Sequence, residues 1–315
     1  MKLFLISLLI LLISVLTAEF LLKLIWGFGN PLIYIADDEI GYLLAPNQMT
    51  KRNGNLIKIN KYSMRSEQIN SSKTAQDLRL LLLGDSIANG GWWTDQDKTI
   101  SSLLEQFLIK KNLGFNQVEV LNASANSWGV RNQLAYLQKY GTFSIDILIL
   151  LLNTDDLFSS APSPLNVGRS LSYPDKKPTF ALQEFFKKVL PSPTHPDLKN
   201  LPQEKGDIVQ LNLDALVKIN DVTHKNKINF IVALTPLKRE VLPPYSKDYE
   251  LRARERLKNI IEEYDIEYID FLPFFKEENN PESLYHDHIH LNGKGNDFVT
   301  KNIASTIVNG APQIK

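Results

Sequence analysis

Five apolar segments that alternate with segments of helical spacing constrain the fold of this chain more than any other feature. LRLLLLG at 78–84 and IDILILLLN at 145–153 are continuous apolar runs, which are typical of strands buried on both faces. Alternation of strands and helices predicts a parallel sheet covered by helices on both faces. We therefore expect an α/β domain at 77–310, with three α/β/α layers and a flavodoxin-like parallel sheet of about five strands. The predicted strands are 78–84, 117–122, 145–153, 228–236 and 266–271, and the predicted helices are 99–112, 132–140, 211–224, 248–263 and 293–309.

A proline-rich segment at 158–203 interrupts this alternation and contains eight of the sixteen prolines. Proline at that density cannot join the interior of a sheet, because it lacks the backbone N–H. We expect an insertion over the carboxyl ends of the strands, where ligands bind in such sheets. The insertion is predicted to include one short helix at 180–190. It could serve as a lid or substrate platform, and the alternative is a surface loop without a function.

The amino-terminal segment is apolar enough to enter a membrane. Lys2 precedes LFLISLLILLISVLTA, and residues 3–26 supply the roughly 20 residues that a spanning helix needs. Cleavage after Ala18 is disfavoured because Leu16 stands where a small residue is preferred. We predict an uncleaved signal anchor at 1–26 with the rest of the chain extracytoplasmic, the alternative being a secreted protein. Residues 27–76 are predicted to be a linker or amino-terminal appendage with a strand or two.

Composition excludes several functions. The chain has 35 Lys and Arg against 35 Asp and Glu, and no cluster of basic residues, so a nucleic-acid partner is not expected. The absence of cysteine excludes disulfides, thiolate zinc sites and cysteine nucleophiles. In YHDHIHLN, His286, His288 and His290 would share one face of an extended segment and could bind zinc. The alternative is that Asp287 and His290 belong to a hydrolytic triad.

Ser86 follows the first strand directly, in the sequence GDS. A serine at this point places its hydroxyl and its own backbone N–H at the carboxyl edge of the sheet, which suits a nucleophile whose oxyanion must be stabilised. The same position also suits a helix N-cap. The motif alone does not decide between the two.

Three further motifs accompany GDS and together resemble the SGNH/GDSL hydrolase family over about 77–309. They are Asn122 in VLNASANSWG, NTDDL at 153–157 and DHIH at 287–290. The resemblance implies that Ser86 is the nucleophile, His290 the general base and Asp287 the carboxylate that orients His290, with no metal or cofactor required. Serine needs such a base because its hydroxyl is inert near neutral pH.

The family's oxyanion hole is only partly matched. The donors implied here are the N–H groups of Ser86 and Ser127, and Ser127 stands where the family has glycine. Asp155 stands where the family has its asparagine, and an ionised carboxylate would repel the oxyanion. Asn153, two residues earlier at the same strand end, is the residue we expect to compensate; the alternatives are that Asp155 is protonated or that the N–H groups of Ser86 and Ser127 suffice.

Trp92, Trp93 and Trp128 are predicted to form a substrate rim, since indole rings pack on sugars and acyl chains. The expected function is a serine esterase that removes O-acyl groups, such as acetyl, from an extracytoplasmic carbohydrate or lipid. The alternatives are an O-acyltransferase that uses the same acyl-enzyme, and a glycan-binding or scaffold protein of weak activity. Arg65 is expected to fasten the amino-terminal segment by pairing with a carboxylate.

Overall fold

The computed structural model describes residues 1–69, 73–190, 195–199 and 204–310. The amino-terminal part contains one long helix and two hairpins. Helix α1 (Lys2–Leu21) continues into a π-helical turn (Leu22–Trp26). Within the described residues, Lys2–Trp26 is the one helical stretch long and apolar enough to cross a membrane. The two antiparallel hairpins that follow are formed by β1 (Tyr34–Asp37) with β2 (Gly41–Leu44), and by β3 (Gln48–Arg52) with β4 (Asn55–Ile59).

The central sheet has five parallel strands in the order β6-β5-β7-β8-β9. This confirms the predicted α/β/α class, and each predicted strand is found within a few residues of its expected bounds. The strands are β5 (Leu78–Gly84), β6 (Val118–Ser124), β7 (Ile147–Asn153), β8 (Asn229–Thr235) and β9 (Glu267–Asp270).

Helices cover both faces of this sheet. The helices after α1 are α2 (Ser86–Asn89), α3 (Ile100–Lys111), α4 (Val130–Tyr140), α5 (Ala181–Val189), α6 (Pro196–Lys199), α7 (Ile208–Lys225), α8 (Lys238–Val241), α9 (Asp248–Glu263), α10 (Phe271–Glu277) and α11 (Gly293–Gly310). Of these, α5 and α6 belong to the proline-rich insertion and do not pack on the sheet. Successive leucines of β5 point into two cores, Leu81 and Leu83 toward α4, α7 and α9, and Leu80 and Leu82 toward α3, α10 and α11. Burial on both faces explains why this strand has no polar alternation.

The segment predicted at 27–76 as a linker has four strands, two more than expected. Tyr34, Ile40, Leu43 and Ile57 are buried in the same core as α4 and α7. Each such side chain contributes roughly 1.5–3 kcal/mol when it is fully buried. The hairpins are therefore packed against the main domain, while residues 70–72 lie outside the described part.

The proline-rich insertion packs in two places. Its first half lies along the β1–β2 hairpin, where the N–H of Tyr34 donates to the carbonyl of Pro174 over 2.8 Å. Its helix α5 packs against the end of α1 and matches the helix predicted at 180–190. Residues 191–194 and 200–203 of the predicted insertion lie outside the described residues.

Candidate active site

The turn after β5 exposes the hydroxyl of Ser86 to other side chains. Asp85 is the N-cap of α2, because its carboxylate accepts the N–H of Ile87 over 2.8 Å. Ser86 is therefore the first residue of the helix, and its side chain is not used as the cap. The turn is tight enough to require Gly84, since a Cβ there would lie 2.5 Å from the Cβ of Ala88.

The ring of His290 lies between Ser86 and Asp287. Its Nε2 is 2.9 Å from Ser86 Oγ, and its Nδ1 is 2.7 Å from Asp287 Oδ2. When Nδ1–H donates to the carboxylate, Nε2 keeps a lone pair that can accept the hydroxyl proton, and the hydrogen-bond network assigns this tautomer. The structure thus brings together the three residues to which the resemblance assigned a triad.

The carboxylate of Asp287 is held in its ionised form. Partial burial opposes ionisation, but hydrogen bonds from the His290 ring and from two backbone N–H groups outweigh it and lower the pKa of Asp287 to about 2. The two N–H groups belong to Ile289 and His290 and lie 2.9 and 2.8 Å from Oδ1. Asp287 is therefore negatively charged whenever His290 receives a proton near neutral pH.

The histidine segment is a closed loop rather than the extended segment that a zinc clamp requires. The N–H of His286 donates to the carbonyl of His290 over 2.8 Å, and the N–H of Lys238 donates to the carbonyl of His288 over 3.0 Å. His288 has 86% of its side chain exposed. The described residues contain no group of three His, Cys, Asp or Glu side chains that could hold a metal ion.

Two of the three predicted rim tryptophans lie in the loop that contacts the histidine segment, Trp93 against His290 and Trp92 near His286. The Trp93 ring is 4.6 Å from the His290 ring and stacks on His286 at 4.8 Å with an interplanar angle of 6°. Trp92 contacts Trp93 edge-on and has 48% of its surface exposed. Trp93 therefore forms a wall against the imidazole, and Trp92 is free to contact a ligand.

The prediction that Trp128 lines the rim is wrong. Its indole is 1% exposed and donates from Nε1 to the carbonyl of Tyr42 over 3.0 Å. It also packs against Tyr136 of α4, with ring centroids 5.6 Å apart. Because the β1–β2 hairpin covers this side of the sheet, Trp128 is a core residue.

Arg65 fastens the amino-terminal segment to the tryptophan loop, although not through a carboxylate as predicted. Its guanidinium donates to the carbonyls of Asn89, Gly91 and Thr94, each over 2.6 Å. These carbonyls flank Trp92 and Trp93 in the chain. The position of both tryptophans thus depends on the buried guanidinium of Arg65, which lies outside the predicted catalytic motifs.

Ser127 has the left-handed backbone conformation that favours glycine, with φ = 58°. Two tyrosine hydroxyls support this turn: Tyr173 donates to Ser127 Oγ over 3.0 Å, and Tyr42 donates to the carbonyl of Asn126 over 2.6 Å. Within the described chain, the N–H groups of Ser86 and Ser127 make no hydrogen bond. Both N–H groups are therefore available to a ligand.

Asn153 lies next to the nucleophile. Its Nδ2 donates to Asp85 Oδ2 over 2.7 Å, and the hydroxyl of Ser86 is 3.3 Å from the same oxygen. Its Oδ1 accepts the N–H of Asp155 over 2.7 Å, which fixes the orientation of the amide. Because an amide nitrogen carries two N–H groups, one remains for a ligand.

Asp155 points away from this network. Its side chain is exposed, and its carboxylate makes no hydrogen bond to a described residue. Partial desolvation raises the pKa of Asp155, although the nearby Arg239 opposes the shift. The Asp155 carboxylate therefore takes no part in the hydrogen bonds that join Asn153, Asp85 and Ser86.

Sequence reasoning missed the two buried carboxyl groups behind Asn153. Burial raises the pKa of Asp85 to about 6, although the Ile87 N–H and His290 act against it. Burial also raises the pKa of Asp156 well above its ordinary value, and the neighbouring Asp85 adds to the shift. Asp156 accepts the backbone N–H of Asn153 over 2.9 Å. The only sequence feature that marks them is their place in the motifs, Asp85 in GDS and Asp156 in NTDD.

Known proteins share this architecture. A crystal structure of an acetyl xylan esterase is 15% identical, has a TM-score of 0.51, and aligns with 73% of this chain and 100% of its own. A lipolytic G-D-S-L family protein from Veillonella parvula is 14% identical with a TM-score of 0.46, and TesA is 14% identical with a TM-score of 0.47; each aligns with 73% of this chain and 98% of its own. No curated protein matches the chain.

The family model covers most of the chain and includes most of the site. The model of the GDSL-like lipase/acylhydrolase family matches residues 82–298, from within β5 to within α11. Ser86, Ser127, Asn153 and the Asp287–His290 loop all fall inside this range. The chain therefore belongs to the GDSL-like lipase/acylhydrolase family and is an ester hydrolase.

Proposed function

We propose that this protein is a membrane-anchored serine esterase that removes small O-acyl groups, such as acetyl, from an extracytoplasmic carbohydrate or lipid. The observation that carries the proposal is the continuous hydrogen-bonded series from Ser86 Oγ through His290 to Asp287, with contacts of 2.9 and 2.7 Å. Serine, imidazole and carboxylate in this order form the arrangement that activates a hydroxyl for attack on an ester.

In the proposed reaction, Ser86 Oγ forms a bond to the acyl carbon while His290 Nε2 takes the hydroxyl proton. The tetrahedral intermediate collapses, the bond to the leaving oxygen breaks, and His290 returns the proton to that oxygen. Water then attacks the acyl-enzyme, again with proton transfer through His290, and releases the acid. Asp287 stabilises the imidazolium in both halves because its low pKa keeps it ionised.

The proposed oxyanion hole consists of the N–H groups of Ser86 and Ser127 and one N–H of Asn153. The support is that neither backbone N–H is bonded within the described chain, and that Asn153 shares an oxygen of Asp85 with the Ser86 hydroxyl. Preorganised donors of this kind usually make the largest single contribution to acyl transfer. Asp155 has no assigned part in the hole.

Location and substrate class rest on two further features of the chain. The apolar stretch Lys2–Trp26 is long enough for a bilayer, and Lys2 precedes it as a cytoplasmic residue would. The exposed indole of Trp92, which packs on Trp93 next to the catalytic histidine, offers a flat apolar surface for a sugar ring or an acyl chain. A carbohydrate or lipid ester outside the cytoplasmic membrane fits both features.

The proposal is tested by hydrolysis of a panel of 4-nitrophenyl esters with acyl chains from acetyl to dodecanoyl, and of O-acetylated polysaccharide. We expect turnover that favours short chains and is lost in Ser86→Ala. The matched control is Ser124→Ala, because this buried serine at the end of the neighbouring strand makes no contact with His290. Equal turnover by wild type and Ser86→Ala would exclude a serine mechanism.

A further inference from the structure

Helix α5 of the insertion has an apolar face that no described residue covers. Phe186 is 51% and Val189 63% exposed, whereas Ala181 and Glu184 on the opposite face are buried. Leu182, Phe186 and Val189 are spaced by four and three residues and therefore lie on one side of the helix. An apolar face of this kind requires a partner that excludes water.

The start of α5 is fixed to the end of α1. Both carboxylate oxygens of Glu19 accept backbone N–H groups of α5, from Ala181 over 2.8 Å and from Leu182 over 2.9 Å. Lys23, one turn further along the same helix, lies 2.8 Å from Glu19. The first turn of α5 is therefore held at the level of Glu19.

The chain that leaves α1 holds α5 at a second point. Arg52 of β3 donates to the carboxylate of Glu184 and to the carbonyl of Gly27. The Phe28 ring meets Phe185 edge-on, with centroids 5.8 Å apart. With two attachments, α5 keeps its outward face oriented relative to α1.

The length of α1 sets the depth of α5. At about 1.5 Å per residue, the 20 residues of α1 span roughly 30 Å, which equals the hydrocarbon thickness of a typical bilayer. With Lys2 at the cytoplasmic boundary, Glu19 lies about 26 Å along the helix and therefore near the outer boundary of the hydrocarbon. Because α5 begins there and is only about 13 Å long, all of it lies within reach of the lipid headgroups.

We infer that α5 is a second membrane contact, an interfacial helix that inserts Phe186 and Val189 into the outer leaflet beside the anchor. Amphipathic helices bind bilayers in this way, with apolar side chains below the headgroups and lysines directed to water or to lipid phosphate. Lys187 is exposed and, as the residue after Phe186, lies about 100° around the helix from it, outside the apolar face. The inference rests on the proposed membrane anchoring by α1.

The absence of native cysteine allows a direct test with single labels on the full-length chain. Val189→Cys, Ile10→Cys within α1, and Lys301→Cys on α11 are each labelled with a polarity-sensitive fluorophore. The control at Lys301 is on the opposite side of the central sheet from the hairpins and has 61% of its side chain exposed. Each protein is reconstituted into vesicles of phosphatidylcholine and phosphatidylglycerol, with and without a doxyl-labelled lipid as quencher.

We expect the lipid quencher to reduce the emission of the labels at Ile10 and Val189 and to leave the label at Lys301 unchanged. Quenching at Ile10 with none at Val189 would overturn the docking of α5 while the anchor stands. No quenching at either position would remove the anchor and the docking together. A Val189 label that is shielded from aqueous iodide but not quenched by lipid would show that a protein covers this face, which also overturns the inference.

Discussion

Replacing Asn153 with alanine tests whether its amide compensates for the carboxylate of Asp155. The substitution removes the donor that lies next to the Ser86 hydroxyl, through their common contact with Asp85. Loss of one oxyanion donor costs about 2.7–4 kcal/mol of transition-state stabilisation, a factor of about 10² to 10³ in kcat. Asp155→Asn leaves every hydrogen bond of this network in place, because only the backbone N–H of Asp155 takes part. We expect its kcat to change by less than about tenfold.

The alanine variant must also be compared at equal folded fraction. It leaves the buried carboxylate of Asp85 without one donor and the N–H of Asp155 without its acceptor, which costs about 1–3 kcal/mol of unfolding free energy. Tyr136→Phe is a matched control, since it removes a hydrogen bond, 2.6 Å long, from the buried Tyr136 hydroxyl to the carbonyl of Tyr62, and neither residue touches the triad. We expect this control to lose a similar stability and to keep its kcat.

The assay is saturation kinetics on 4-nitrophenyl acetate, with urea unfolding of each variant. The reasoning is refuted if Asp155→Asn lowers kcat more than Asn153→Ala does. It is also refuted if Asn153→Ala and Tyr136→Phe lower kcat equally, because the effect would then reflect stability alone.

Three further predictions concern the surroundings of the site. Asp287→Asn should lower kcat by about 10⁴, because the carbonyl oxygen keeps the two backbone N–H groups and the amide nitrogen then faces His290 Nδ1, which favours the tautomer with its proton on Nε2. Since folding lowers the pKa of Asp287, its ionised form stabilises the folded protein above about pH 4. In urea unfolding, the difference in unfolding free energy between wild type and Asp287→Asn should therefore shrink as the pH falls to about 2. Tyr173→Phe should lower kcat about tenfold with little change in KM, because the turn at Ser127 loses the support of the tyrosine hydroxyl. Adding Ser127→Gly should restore kcat, since glycine adopts φ = 58° without that support. If kcat is not restored, Tyr173 does not act through the oxyanion hole. Arg65→Met should lower the unfolding free energy by about 3 kcal/mol or more, since three buried carbonyls lose their donor. A change below about 0.5 kcal/mol in urea unfolding would contradict the role of Arg65 in holding the tryptophan loop.

The fold could be predicted because the strands are buried on both faces. Runs such as Leu78–Gly84 have no polar position to compete with a central strand, and the helices between them have clear apolar spacing. The triad residues could be placed for a related reason, since GDS ends one such strand and the histidine loop precedes the last helix. The carboxyl ends of parallel strands converge, and residues 204 positions apart therefore meet.

The remaining features depend on packing that local patterns do not contain. The β1–β4 hairpins are short, and their burial depends on a core supplied by α4 and α7, so the segment had the pattern of a linker. Trp128 follows a strand as a rim residue would, but the β1–β2 hairpin covers it. His286 and His288 alternate with His290, yet backbone hydrogen bonds close their segment into a loop. Arg65 binds carbonyl groups, which every residue has and which no sequence pattern marks.

The central claim is that Ser86 is a hydroxyl activated by His290. The most direct measurement is to treat the folded protein with a fluorophosphonate and to locate the adduct by peptide mass spectrometry. We predict a single adduct on Ser86 that is lost in His290→Ala, while that variant keeps the unfolding transition of the wild type. An adduct on another serine, or labelling of Ser86 at the same rate without His290, would contradict the account.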